Sequence, residues 1–245
     1  DKNPPKLKKR SRVGELSNDI EKHPDFIKIE KFAFEKFGLA AMSHRHGVFG
    51  MQQPLPPIVK YGLTFLFVQS EFGLCCPLSM TDSLTRTLTK FGDKKLIDKF
   101  FDQLTSQDLD HLFQGAMFMT EQHAGSDVGS IDTYAEYEDG NWFLTGDKWF
   151  CSNPDADLAM VLARHDKTIS GTKGLALFLL PKKLENGNQN NYEIIRLKDK
   201  LGGRSFASGE IKLNRAFAYL VGNPDEGFKQ MTDMINMSRL SNGVR

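Results

Sequence analysis

The chain has 245 residues, 40% of them apolar and 26% charged, with a formal net charge of +1; this is ordinary for a globular protein with room for one large domain or two smaller ones. The near-zero charge balance gives no electrostatic reason to expect a nucleic-acid partner, and apolar runs such as residues 174–182 fall far short of the ~20 residues a membrane-spanning helix needs. Three cysteines, Cys75, Cys76 and Cys151, lack the paired spacing of a zinc site and read as thiols of a reducing, cytoplasmic compartment.

In chain order, residues 1–22 lack an initiator Met and carry a basic run, Lys6, Lys8, Lys9, Arg10 and Arg12, after Pro4-Pro5. A nuclear signal or phosphate-binding patch would use the same residues, but the preferred reading is a solvated basic linker. Residues 23–113 read as a helical domain. Phe26, Ile29, Ala33, Phe34 and Phe37 share one helix face before Gly38. Residues 54–72, more apolar and with Pro57 suited to a first helical turn, predict a central, well-buried helix. Met80, Leu84, Leu88 and Phe91 predict another that stops at Gly92. Asp93 is placed as N-cap of a helix carrying Leu96, Ile97, Phe100, Phe101 and Leu104.

Residues 114–226 change period. Asp139-Gly140 between two aromatic-rich runs is a strong hairpin signal, and four further short apolar runs follow, so a small antiparallel β-barrel or sandwich is expected. Residues 227–245 return to helical spacing. Met231, Met234 and Met237 read as core filler. Phe228, Met231, Met234, Ile235 and Leu240 form an apolar face expected to need a covering layer. The fold class is thus α+β: a helical domain, a small β-domain, and the start of a further helical bundle absent from this chain.

The stretch MTEQHAGSDVGS, residues 119–130, lies where the helical layer hands over to the β-domain, a common place for a ligand groove. Gly125, Ser126 and free amides could receive an anion, although a turn capped by Ser and Asp side chains would use the same letters. Neither a dinucleotide fingerprint nor a P-loop occurs. His44 and His46 form a His-x-His pair without a third ligand, so no metal is assigned. His123 reads as an exposed loop residue, Glu121 as a loop anchor and Arg204 as structural.

MTEQHAGSDVGS, then LTGDKWFCSN, then KDKLGGRSFASGEIKLNRAFAYLVGNPDEGF resemble, in that order and spacing, the middle domain of the acyl-CoA dehydrogenase family. Thr120, Glu121, Gly125, Ser126 and Asp127 match its first signature; Phe150 and Ser152 match the aromatic and hydroxyl of its second. CPLSMT, KDKLGGRS and HPDF are most similar to the branch containing the bacterial adaptive-response protein AidB. The resemblance implies an FAD flavoprotein. Met117, Met119 and Thr120 would line the flavin, Ser126 would sit near its pyrophosphate, Phe150 would pack on the ring and Ser152 would donate near N5. It implies α,β-dehydrogenation of an acyl-CoA, transfer of electrons to an electron-transfer flavoprotein, and a homodimer or homotetramer. Arg239 is the candidate substrate-binding residue. The family's usual glutamate base would lie beyond Arg245, so the catalytic residue is left unassigned and the chain is expected to be an inactive fragment. The alternative is an AidB-like, DNA-associated flavoprotein of the alkylation response, with weak or incidental dehydrogenase activity.

Overall fold

The computed structural model describes residues 2–245. The basic amino-terminal segment is not a linker. It forms an antiparallel hairpin of β1 (Lys6–Arg10) and β2 (Leu16–Glu21). Alternation of Leu7 and Ile20 with charged neighbours lets the hairpin rest an apolar side on the barrel while Lys8 pairs with Glu21 and Lys9 with Glu193. The Asn18 amide donates to the Tyr192 carbonyl and its oxygen accepts from the Ile194 amide, both at 2.9 Å.

Helix α1 (Pro24–Lys31) begins with Pro24 in its first turn and runs into a π-helical turn, Phe32–Lys36. Phe26, Ala33 and Phe34 are buried on its inner side. Helix α2 (Pro57–Val68) follows, then α3 (Cys75–Phe91) and α4 (Lys94–Leu104). Asp93 caps α4, its carboxylate accepting from the Leu96 amide at 2.8 Å. The expectation of a well-buried helix over 54–72 fails: Ile58 is 77%, Phe65 54% and Leu66 61% exposed. In α2 the buried residues are Lys60 and Thr64. Lys60 forms a 2.7 Å ion pair with Asp82, which also meets His44 Nε2 at 2.8 Å. A helix apolar on every side carries no mark of which face is inward, and here a buried charge sets the choice.

The β-domain is a seven-stranded closed sheet in the order β3 (Gly115–Phe118), β5 (Asn141–Ser152), β4 (Tyr134–Glu138), β6 (Leu158–Arg164), β7 (Leu175–Pro181), β9 (Ser208–Val221), β8 (Tyr192–Leu197), with β5 also pairing β9. The Asp139-Gly140 hairpin forms, both residues at positive φ. The sheet is not wholly antiparallel, because β3 and β4 each pair parallel with β6. The β3 strand arrives from the helical layer rather than from a hairpin, so its direction is set by that crossing.

Helix α5 (Gly227–Val244) corrects a second expectation. Its apolar face is not left bare: Met231 and Met234 are fully buried against Leu84 and Leu88 of α3 and Leu175, Leu177 and Leu179 of β7. Leu240 alone of the five expected face residues stays largely exposed, at 52%. The layer between barrel, α3 and α5 is one apolar core; the barrel interior is a second.

Candidate functional site

Gly115 starts β3 with its amide donating to the Thr81 hydroxyl of α3 at 2.9 Å. A Cβ there would meet the Thr81 Cα at 2.9 Å, so glycine lets the strand lie directly on the helix. From that contact β3 is carried alongside β5. Met117 stands opposite Ser152, and Ser152 stands opposite Ser208 of β9, a row across three strands. Opposed residues project on the same face. Met117 on that face packs into the apolar layer that includes Met80, Leu84 and Leu88 of α3. Burial pushes the Cys76 thiol up, against smaller opposing pulls from Ser152, Arg245 and Lys200.

Further along, the Thr120 carbonyl accepts from the Trp149 amide at 2.8 Å, so 117–120 runs antiparallel to 149–152. Between Lys148 and Cys151 the register with β9 shifts: two β5 residues oppose one β9 residue. This bulge turns Lys148 and Cys151 both inward, at 1% and 0% exposure, and leaves Phe150 outward at 50%. Lys198 Nζ sits 3.2 Å from the centre of the Trp149 ring and is held by Glu210 at 2.5 Å.

The loop after Thr120 is tied down from inside. Glu121 is 3% exposed. Its carboxylate accepts from the amides of Asp132 at 2.8 Å and Thr133 at 3.1 Å and from Lys148 Nζ at 2.8 Å. Burial would raise its pKa, but the Lys148 charge and these donors hold it below the ordinary carboxylate value. Lys148 also donates to the carbonyls of Met119 and Leu162. The loop's outer side is open: Gly125 and Ser126 are exposed, and no acceptor among the described residues takes their amides. Asp127 turns back on Gly129 and Ser130, the capped turn that the same letters allowed.

Of the residues singled out in the sequence, Met117, Met119, Thr120, Phe150 and Ser152 are thus brought together by one strand pairing, with Ser126 in the loop that leaves it. Arg239 is not among them; it is exposed on α5, and no hydrogen bond or ion pair among the described residues ties it to the strip. His123 is 56% exposed and lies 2.9 Å from Asp132. Sequence reasoning missed Lys148, although the alternation Leu144, Gly146, Lys148 points it inward. It also missed buried Asn153, whose side chain donates to Gln114 and to the Gly115 carbonyl and so fixes the residue after Ser152.

The residues present suit a flavin cofactor. They offer a half-open aromatic face, flanking methionines, hydroxyl donors and an amide-bearing loop.

Two family descriptions match the chain: the acyl-CoA dehydrogenase middle domain over residues 116–216, and the adaptive response protein AidB N-terminal domain over residues 1–111. Acyl-CoA dehydrogenase family member 11 of Caenorhabditis elegans is 36% identical over 208 residues, 80% of this chain and 34% of that protein. AidB of Escherichia coli (strain K12) is 32% identical over 255 residues, 97% of this chain and 43% of that protein. The chain therefore spans about two-fifths of the length of these relatives. Among solved structures, Caenorhabditis elegans ACDH-11 in complex with C11-CoA superposes with a TM-score of 0.86 at 32% identity, over 99% of this chain and 42% of that one. Butyryl-CoA dehydrogenase from Megasphaera elsdenii, at 21% identity and a TM-score of 0.77 over 91% of this chain and 56% of that one, shares the fold. With a barrel and a helical layer matched separately and together, the chain belongs to the acyl-CoA dehydrogenase family.

Proposed function

We propose that the strip formed by β3 and β5 holds FAD, and that the protein is an FAD-dependent acyl-CoA dehydrogenase. The observation that carries this reading is the bulge in β5, which leaves Phe150 facing outward beside Thr120 and Ser152. FAD bound there would accept the β-hydride as the α-proton of an acyl thioester is removed. Phe150 would supply a flat apolar wall, and Met117 and Met119 would pack its edges. The hydroxyls of Thr120 and Ser152 would donate where negative charge arrives. Ser126 and the open amides beside it would face the pyrophosphate. An acyl-CoA substrate also agrees with the C11-CoA complex of the Caenorhabditis elegans relative. Glu121 is not offered as the base, because Lys148 and two amides occupy its carboxylate.

The AidB similarity keeps a second reading in view, an adaptive-response flavoprotein associated with DNA. Against a phosphate-binding role for the basic amino-terminal run stands the pairing of Lys8 with Glu21 and Lys9 with Glu193, which neutralises two of its cations. Purified protein that also carries the family's glutamate base should be yellow, with flavin absorption released on denaturation, and should pass electrons from an acyl-CoA to an electron-transfer flavoprotein. A colourless protein that cannot be reconstituted with FAD sinks both readings. FAD retention with salt-sensitive DNA binding and no acyl-CoA turnover selects the second.

A further inference from the structure

Beyond the strip itself, one cation in its wall lacks a counter-charge. Lys200, in the segment after β8, is half-buried. Its Nζ donates to the Phe206 carbonyl at 2.9 Å and to the Ser208 hydroxyl at 3.1 Å, and lies 3.5 Å from the centre of the Phe206 ring. The neighbouring cations are balanced: Lys198 and Arg196 share Glu210, and Arg204 meets Asp199. No carboxylate among the described residues pairs with Lys200. On the facing element, Glu71 is engaged by the Ser205 hydroxyl and the Gly73 amide, both at 2.7 Å. Arg245, near Cys75 and Cys76, adds a second positive charge on that side, stacked 5.8 Å from Phe72.

A partly buried ammonium without a counter-ion is costly, and the cost is repaid by an anion that the chain itself does not provide. Its position says where that anion would form. Lys200 holds Ser208, Ser208 stands opposite Ser152, and Ser152 and the Lys200 charge both pull the Cys76 thiol down against its burial.

We propose that Lys200 is a positioning residue for the flavin site, holding the Ser208–Ser152 pair and placing a positive charge that favours the reduced, negatively charged cofactor. This rests on the FAD reading and goes beyond it by naming the group that sets the cofactor's electron affinity. The alternative is a purely structural lysine that closes the 200–206 loop onto the Phe206 carbonyl.

The two differ in potential and in pH dependence. Burial pulls the Lys200 ammonium down to about 8. Charge gained on reduction would raise it again, so reduction should draw in a proton above that pH. The test is dye-coupled potentiometric titration of the FAD-loaded protein between about pH 6.5 and 9.5, for the parent, Lys200→Met and Lys200→Arg. The parent's potential should change slope near pH 8. Lys200→Met should abolish that bend and, at neutral pH and a fixed ambient potential, lower the reduced-to-oxidised ratio by roughly tenfold, the weight of one nearby charge. Lys200→Arg, still charged but not titrating, should keep a parent-like ratio at neutral pH and lose the bend. Should Lys200→Met fail to retain flavin, loss of the bend in Lys200→Arg still supports the assignment and its persistence overturns it. An FAD-loaded Lys200→Met with parent-like potential and slope overturns this inference alone. A parent that takes up no FAD overturns the flavin reading on which it stands.

Discussion

Lys148 and Glu121 are the pair on which the shape of the site loop depends. Both are almost wholly buried, and between them they engage two amides and two carbonyls from three parts of the chain. Removing one partner leaves an uncompensated interior charge, so Lys148→Met should cost about 3–5 kcal/mol. Lys148→Met combined with Glu121→Gln should recover much of that loss, and denaturant melts of the single and double variants would show it. An additive double variant would mean that the pair is not coupled. Within the strip, Ser152→Ala should leave the melt unchanged and slow flavin reduction ~10²-fold, as expected for loss of one preorganised donor. Phe150→Ala should instead weaken FAD retention, read by the fraction of flavin released on gel filtration. Equal reduction rates for Ser152→Ala and parent, at matched FAD occupancy, would count against the donor assignment.

Among the elements, those written in local chemistry were legible. Asp93 was readable as a cap because a carboxylate three residues before Leu96 needs no distant partner, and Asp139-Gly140 because both positions require positive φ. Asp93→Ala should accordingly cost ~1 kcal/mol in α4 stability, measurable as a shift in the denaturation midpoint. Exchange of exposure between α2 and α5 was not legible, because it depends on what each helix meets in space. Period alone gave α2 no preferred face, and the Lys60–Asp82 pair that seats it joins residues from different helices. The β5 bulge was hidden for the same reason, since it exists only as a mismatch with β9. The motif letters of the strip were legible, but the inward Lys148 that holds its loop came from the strand pairing. With Ile58, Phe65 and Leu66 outward, α2 presents the chain's clearest exposed apolar surface. Phe65→Lys with Leu66→Lys should therefore reduce binding of a hydrophobic dye without lowering the melting temperature. Unchanged dye binding would place the sticky surface elsewhere.

At the scale of the whole molecule, two buried carboxylates govern behaviour in acid. Burial would raise the pKa of Asp82, but the hydrogen bond from His44 and the charge of Lys60 hold it below its ordinary 3.8, and Glu121 is held below its ordinary 4.5. In that window the unfolded chain binds more protons than the folded one. Their stabilisation is present above the ordinary values and is lost as pH falls through the folded ones. Thermal melts should therefore drop steeply below about pH 4.5, and Asp82→Asn should flatten the drop while lowering stability at neutral pH. A parent curve flat to pH 3 would show that neither carboxylate matters. The amino-terminal hairpin has a consequence of another kind. Asn18 closes on Tyr192 across 174 residues of chain, and a two-stranded hairpin is marginal by itself. During synthesis at about 5–20 residues per second, residues 6–21 must wait roughly 10–35 s before their docking strand exists. For that interval the hairpin has nothing to fold against, and the last strands of the barrel decide when it becomes part of the structure.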